Sequence, residues 1–138
     1  MRIVIDTNDY ISALIGKKHR EKLMFVLNRP DIEIFGDENL ITEIREVGYR
    51  EKFRKYVDIE EVDIFIEIIS QRLTFIETTS IFFDSPDPDD NYLLSLAYDS
   101  ESDYLITGDK KDLLALSPFR GILIIRLYEL INILTDLS

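Results

Sequence analysis

The sequence predicts an α/β fold with a central, mostly parallel sheet. Short runs rich in β-branched residues alternate with longer segments of helical periodicity along the chain, which is the pattern of βαβ units. Three of the short runs, "ILII" among them, are almost continuously apolar, as is typical of strands that helices cover on both faces. In open sheets of this kind, functional sites form beyond the carboxyl ends of the strands.

Five strands and six main helices are predicted in chain order. The strands are placed by β-branched and apolar runs at residues 2–5, 32–35, 74–77, 104–107 and 122–125. The helices are placed by the spacing of apolar residues at residues 8–15, 20–28, 38–47, 59–73, 89–99 and 128–134, with one more short helix after the fourth strand. No repeat or Gly/Ser-rich linker divides the chain, so we expect one domain over residues 1–138.

Composition limits the functional classes. The chain has 138 residues, no cysteine and a formal net charge of −11, which excludes thiolate metal sites and disfavours non-specific binding to a polyanion. A metal-filled acidic pocket would still reverse the charge locally. The opening "MRIVID" lacks the features of a signal peptide, and no apolar run approaches the roughly 20 residues that span a bilayer. We therefore expect a cytoplasmic protein that does not bind a membrane.

Two aspartates follow the ends of predicted strands. Asp6 comes after the first strand, and Asp109 comes after the fourth in "LITGDKKDLL". Taken alone, each is better explained as the cap of the next helix. Both nevertheless lie at the edge of the sheet where sites form.

Glu43 borders the apolar stripe of the third predicted helix. It is three residues after Leu40 and four before Val47, so it lies along their face. A charge at such a position needs a partner. A salt bridge to Arg50 or Arg54 explains Glu43 as well as a functional role does.

The stretch "SPDPDDNYLLSLA" contains the most informative acid, Asp90. It shares one helix face with Leu93, Leu94 and Ala97, at positions i, i+3, i+4 and i+7. The two other aspartates of the "DPDD" run suit capping of the helix. Asp90 is therefore predicted to point toward the edge of the core.

The four acids would repel one another strongly if they converged. Two carboxylates about 4 Å apart repel by roughly 4 kcal/mol at an effective dielectric constant of about 20. Such a site must bind cations or take up protons. Oxygen ligands in a chain with one histidine and no cysteine favour Mg²⁺ or Mn²⁺ over zinc.

Four motifs follow one another along the chain: "IVIDTNDYISAL", "LITEIREVGYREKF", "DPDDNYLLSLA" and "DYLITGDKKDLL". Together they resemble the PIN domain family, and within it the VapC-like toxins of prokaryotic toxin–antitoxin systems. The resemblance covers nearly the whole chain and implies a three-layer α/β/α fold with a central, mostly parallel sheet. Asp9 departs from the pattern, because the family usually has an aliphatic residue there. It either faces solvent or adds a negative charge near the mouth of the site.

The resemblance implies a metal-dependent ribonuclease that cleaves RNA endonucleolytically and acts as the toxin of a toxin–antitoxin pair. The family's catalytic and metal-binding acids carry over, with Mg²⁺ or Mn²⁺ as the ion, to Asp6, Glu43, Asp90 and Asp109. Asn8 would brace Asp6 or bond near the metal, and Thr107 would line the site. The implied partners are an RNA substrate, a cognate antitoxin and a second copy of the chain. The alternative is a catalytically silent PIN-fold module that binds another protein.

The densest basic cluster is the predicted RNA contact. Lys17, Lys18 and Arg20 lie in the expected link between the first two helices, where Lys and Arg would contact phosphates. His19, within the same cluster, is interpreted as a lone, unpartnered surface side chain in a basic turn rather than as a catalytic base.

The long helix at residues 59–73 carries more apolar residues than one stripe needs. Its main stripe consists of Ile59, Val62, Ile66, Ile69 and Leu73, and Ile64, Phe65 and Ile68 lie off it. Such an excess often marks an interface, so this helix is a candidate surface for a second copy or an antitoxin.

Overall fold

The computed structural model describes residues 1–108 and 110–136, and its centre is a five-stranded sheet. The strands are β1 (Arg2–Ile5), β2 (Glu33–Gly36), β3 (Leu73–Phe75), β4 (Tyr104–Ile106) and β5 (Leu123–Ile125). Their order is β3-β2-β1-β4-β5, and every neighbouring pair is parallel. The predicted α/β class with a parallel sheet is confirmed.

Helices connect the strands. Within the described ranges they are α1 (Thr7–Ile15), α2 (Lys17–Leu27), α3 (Glu38–Gly48), α4 (Ile59–Arg72), α5 (Pro88–Asp99), α6 (Lys111–Leu114) and α7 (Leu127–Asp136), with a 3₁₀ turn at Glu51–Phe53. The predicted link before the second helix is wrong, because α2 begins at Lys17 and Gly16 alone separates it from α1. The third strand begins one residue earlier than predicted, directly after α4 ends.

The alternation of side chains along β1 separates two apolar cores. Ile3 and Ile5 are fully buried in one core, together with residues of α1, α2, α3, α4 and α7. Val4 points to the opposite face, where it joins Leu94 of α5 and Leu113 of α6. Helices therefore cover both faces of the sheet, and the predicted three-layer α/β/α arrangement is confirmed.

The periodicity of α4 agrees with its packing. Val62, Ile66 and Ile69 are buried, whereas Ile64 and Ile68 are 58% and 47% exposed. The predicted inward stripe is thus confirmed over these residues. The two exposed isoleucines are one turn apart, so they form a short apolar strip on the outer surface.

The strand order changes direction next to β1. The chain passes from β1 to β2 and β3 on one side, and later to β4 and β5 on the other. Parallel sheets open a crevice at such a switch point, beyond the carboxyl ends of the two central strands. Asp6 follows β1 there, and its backbone N–H donates to the carbonyl of Ile106, the last residue of β4, at 2.9 Å.

Across residues 1–108 and 110–136, none of the helices has the length and apolar character that crossing a bilayer requires.

Candidate active site

Asp6 is held at the crevice by two elements. It is the N-cap of α1, and its Oδ1 accepts the backbone N–H of Asn8 at 3.4 Å. Its Oδ2 accepts the hydroxyl of Thr107, the residue after β4, at 2.8 Å. The side chain is only 2% exposed, and this burial raises the pKa of Asp6 above its usual range although Lys110 opposes the shift. Asp6 therefore caps α1 and lines the crevice at the same time.

Asp90 reaches the same crevice from the start of α5. Asp87 caps this helix by accepting the N–H of Asp89 at 2.9 Å, and Pro88 opens the first turn. Asp90 is 2% exposed, and its Oδ2 accepts the Ser85 hydroxyl at 2.9 Å. The predicted inward position of Asp90 within the "DPDD" run agrees with the structure, and Asp87 is the residue that caps the helix.

Lys110 lies between these two carboxylates. Its Nζ is 3.3 Å from Asp90 Oδ1 and 4.0 Å from Asp6 Oδ2. Although burial alone would lower it, the pKa of Lys110 is raised by the two aspartates. One ammonium group contacts both acids, so Asp6 and Asp90 face a common point. The sequence signal for Lys110 was weak, namely a lysine in the loop that follows β4.

Glu43 approaches the crevice from α3. It is half-buried, and this burial raises the pKa of its carboxyl group, while the hydroxyl of Thr7 opposes the shift and the charges of Asp89 and Asp6 add to it. The salt bridge that the sequence left open is not formed within the described residues. Arg54 donates instead to the carbonyl of Gly48.

The remaining predicted site residues have different positions. Thr107 is fully buried and bonded to Asp6, whereas Asn8 has an exposed side chain and contributes its backbone N–H. Asp109 lies outside the described residues, so its place in the site stays a prediction.

Asp9 and His19 form a pair that sequence reasoning missed. Asp9 is 2% exposed, and its Oδ1 lies 3.0 Å from His19 Nε2. The interpretation of His19 as an unpartnered surface side chain is wrong, since it is half-buried on this carboxylate. Asp9 does not face solvent. The pair lines a cavity next to the crevice, with Asn8 and Gly108 on its wall.

The basic cluster separates into two kinds of residue. Lys17 and Lys18 are exposed in the first turn of α2. The guanidinium of Arg20 donates to the carbonyls of Ala13 and Leu14, at 3.0 and 2.9 Å. These are carbonyls at the end of α1, which have no helical partners of their own. Arg20 therefore joins α2 to α1 through two of its five N–H donors.

Comparisons with known proteins show which family the chain belongs to. A model of the PIN domain family matches residues 2–111, which include β1 to β4 and every described acid of the crevice. The chain belongs to the PIN domain family. A search of curated proteins finds no match.

One solved structure with the same fold is that of VapBC2 from Rickettsia felis bound to a DNA fragment from its promoter. It aligns with this PIN domain at a TM-score of 0.58 and 12% sequence identity, over 90% of this chain and 97% of that chain. At this identity the likeness concerns the fold alone.

PIN domains are in general nucleases that use divalent metals, so the oxygens of this crevice can be compared with what such ions need. Asp90 Oδ1 is buried and receives no hydrogen bond of ordinary geometry from the described residues. Within residues 1–108 and 110–136, no three acidic or histidine side chains form a complete metal cage. Mg²⁺ usually takes one or two carboxylates and completes its shell with water and substrate phosphate. The donor set of Asp6 and Asp90 fits such an ion.

Thr107→Val is expected to lower the free energy of unfolding by about 2 kcal/mol, because a buried carboxylate loses a hydrogen bond. Valine has nearly the same shape as threonine, so packing changes little. Urea unfolding of Thr107→Val, Asp6→Asn and the double variant measures the coupling of the two side chains. We expect coupling of at least about 1 kcal/mol. Strictly additive losses would show that the hydroxyl does not hold Asp6.

Proposed function

We propose that this PIN domain is a Mg²⁺- or Mn²⁺-dependent endoribonuclease. The observation that carries the proposal is the convergence of two buried carboxylates, Asp6 and Asp90, on one cation at the switch point of the sheet. The two lie far apart in the sequence, one after β1 and one in the first turn of α5, so local capping alone does not explain why both point there.

Asp6 and Asp90 would hold the ion, with Glu43 and Asp109 at its margin. When bound, the ion supplies an activated water and neutralises charge on the cleaved phosphate. The chain contributes rigid placement. The hydroxyls of Thr107 and Ser85 hold the two aspartates at 2.8 and 2.9 Å, so little reorganisation is needed when substrate binds.

RNA is expected to enter over the exposed lysines of α2. Lys17 and Lys18 are available for phosphates, whereas the guanidinium of Arg20 is engaged by α1. Lys110 is the cation at the reacting centre itself. These three lysines are among the 16 basic residues already counted in the formal net charge of −11. Their contribution is local, because they supply positive charge along the expected RNA path on a chain that otherwise repels a polyanion.

An antitoxin partner is the second element of the proposal. One structural neighbour is a VapBC complex, and this chain shows Ile64 and Ile68 as an exposed strip on α4. An apolar strip on a soluble surface is typical of a protein interface. We propose that this PIN domain is the toxin of a toxin–antitoxin pair and that α4 contacts the antitoxin or a second copy of the chain.

Cleavage of single-stranded RNA tests the activity. The wild-type protein is expected to cut RNA internally in Mn²⁺ or Mg²⁺, to stop in excess chelator, and to resume when metal is restored. Attack by water leaves a 5′-phosphate and a 3′-hydroxyl, which end-labelling and mass spectrometry identify. Cleavage that continues in chelator and leaves a cyclic phosphate would overturn the proposal. A protein that cuts no RNA under any metal would favour the silent interaction module instead.

A further inference from the structure

A pocket of about 400 Å³ lies between α5 and the segment that follows β3. The α5 wall is one helix face, with spacing i, i+3, i+4 and i+7, made of Pro88, Asn91, Tyr92 and Ser95. Thr78, residues 80–83 and Asn39 of α3 complete the lining. The pocket therefore occupies the helix face next to the one that carries Asp90.

The lining is uncharged, which sets this pocket apart in a strongly acidic protein. None of the described residues that line it carries a charge, although 31% of the chain is Asp, Glu, Lys or Arg. Ile81 and Phe83 stand at its rim with 75% and 84% of their surface exposed. Large apolar side chains left this open mark a binding surface. A phosphate would find no cation here, whereas a flat uncharged ring would find apolar faces and amide groups.

Ser85 connects the pocket to the active site. Its hydroxyl donates to Asp90 Oδ2 at 2.9 Å, and its backbone N–H donates to Asn91 Oδ1 at 2.9 Å. Its carbonyl accepts from Asn91 Nδ2 at 2.8 Å. Asn91 belongs to the pocket wall, so one residue holds both the wall and the reacting carboxylate. A group bound in the pocket is thereby held in a defined position relative to Asp90.

The wall also has an unused hydrogen-bonding group. The amide of Asn91 is committed to Ser85, and Tyr92 donates its hydroxyl to Asp37. Asn39 is exposed and makes no side-chain hydrogen bond with the described part of the chain. An amide presents a donor and an acceptor side by side, which is what the edge of a nucleobase requires.

We propose that this pocket binds one unpaired nucleobase of the RNA next to the cleaved bond, with Phe83 as the stacking surface and Asn39 at the base edge. Sequence-specific RNA recognition commonly uses splayed bases that stack on aromatic side chains and bond through their edges. The inference rests on the proposed ribonuclease function and assigns it a specificity pocket.

The test uses a labelled single-stranded RNA that the wild-type protein cleaves at a mapped bond. Two further RNAs of the same sequence each carry one abasic position, the first on the 5′ side of that bond and the second on the 3′ side. One abasic RNA is expected to raise KM by about tenfold to a hundredfold, the effect of losing a stacked base. Phe83→Ala should raise KM of the intact RNA by a similar factor. On the abasic RNA, Phe83→Ala should have no further effect, because the stacking partner is already gone.

Tyr128→Ala is the matched control, because Tyr128 is 50% exposed on α7, outside the pocket; it should leave KM unchanged. Equal KM for Phe83→Ala and wild type, or independent losses on the abasic RNA, would overturn the pocket and leave the ribonuclease intact. Failure of the wild type to cleave any RNA would overturn the activity and the base pocket together. Conversion of a dimer to a monomer by Phe83→Ala, in sedimentation velocity, would assign the pocket to contact between copies and overturn the proposal.

Discussion

Asp90→Asn is expected to reduce RNA cleavage by more than about 100-fold. Removing a residue that only supports a metal ligand already costs up to about 100-fold, and Asp90 is expected to be the ligand itself. Asparagine keeps the size of the side chain and can still accept the Ser85 hydroxyl. It removes the negative charge that a hard divalent cation needs. The measurement is single-turnover cleavage in Mn²⁺, with urea unfolding of the same sample to establish that the fold is retained.

Asp89→Asn is the matched control for this result. Asp89 precedes Asp90 in the first turn of α5 and is exposed. Its substitution changes the net charge equally, leaves the buried pair of Asp6 and Asp90 in place, and removes only a charge that acts on Glu43. We expect Asp89→Asn to retain most of the activity. Equal loss in both variants would attribute the effect to overall charge, and full activity of Asp90→Asn would exclude Asp90 from the reaction.

Lys110→Met is expected to lower the free energy of unfolding, measured in chelator, by about 3 kcal/mol. Two carboxylates that are each 2% exposed lose their shared cation, and removing one partner of a buried pair is strongly destabilising. Methionine keeps most of the apolar stem, so the loss reports the charge. Lys111→Met provides the control, because Lys111 is the exposed first residue of α6.

The same variant should bind Mn²⁺ more tightly, because the ammonium group competes with the ion for Asp90 Oδ1. Calorimetric titration gives the affinity without relying on catalysis, and added Mn²⁺ should restore stability to Lys110→Met by mass action. Weaker Mn²⁺ binding would show that Lys110 supports the ion rather than opposing it. A stability loss no larger than that of Lys111→Met would contradict the role of Lys110 in holding the carboxylates.

Local periodicity explains how much of the fold could be predicted. The apolar run at residues 2–5 and the face shared by Asp90, Leu93 and Leu94 depend on spacing alone, and the structure has β1 and α5 there. The ends of the helices follow less directly from spacing. The start of α2 was missed because "GKKHR" contains no apolar residue that marks a helix face.

The pairings that sequence reasoning missed join residues for which no local rule specifies a partner. In the sequence, Asp9 stands out only as a departure from the family pattern, and His19 only as a surface residue. The turn at Gly16 brings α2 back against α1, so that His19 meets Asp9. Arg20 is predicted to contact RNA because it stands among lysines, and that prediction does not include the hydrogen bonds of its guanidinium to the end of α1. Each of these contacts spans two helices, so the helical pattern of either one does not contain it.

By itself the sequence determined which segments form most of the strands and helices, and it placed Asp6 at the end of a strand and Asp90 on an inward helix face. These properties follow from side-chain spacing, because a helix or strand presents its faces at a fixed period. The strand order decided the rest. Only the placement of β4 beside β1 brings Lys110 to Asp6 and Asp90, since that neighbourhood depends on how distant segments bury their apolar faces together. Whether an acid serves as a cap, as a metal ligand or as both is decided at that level.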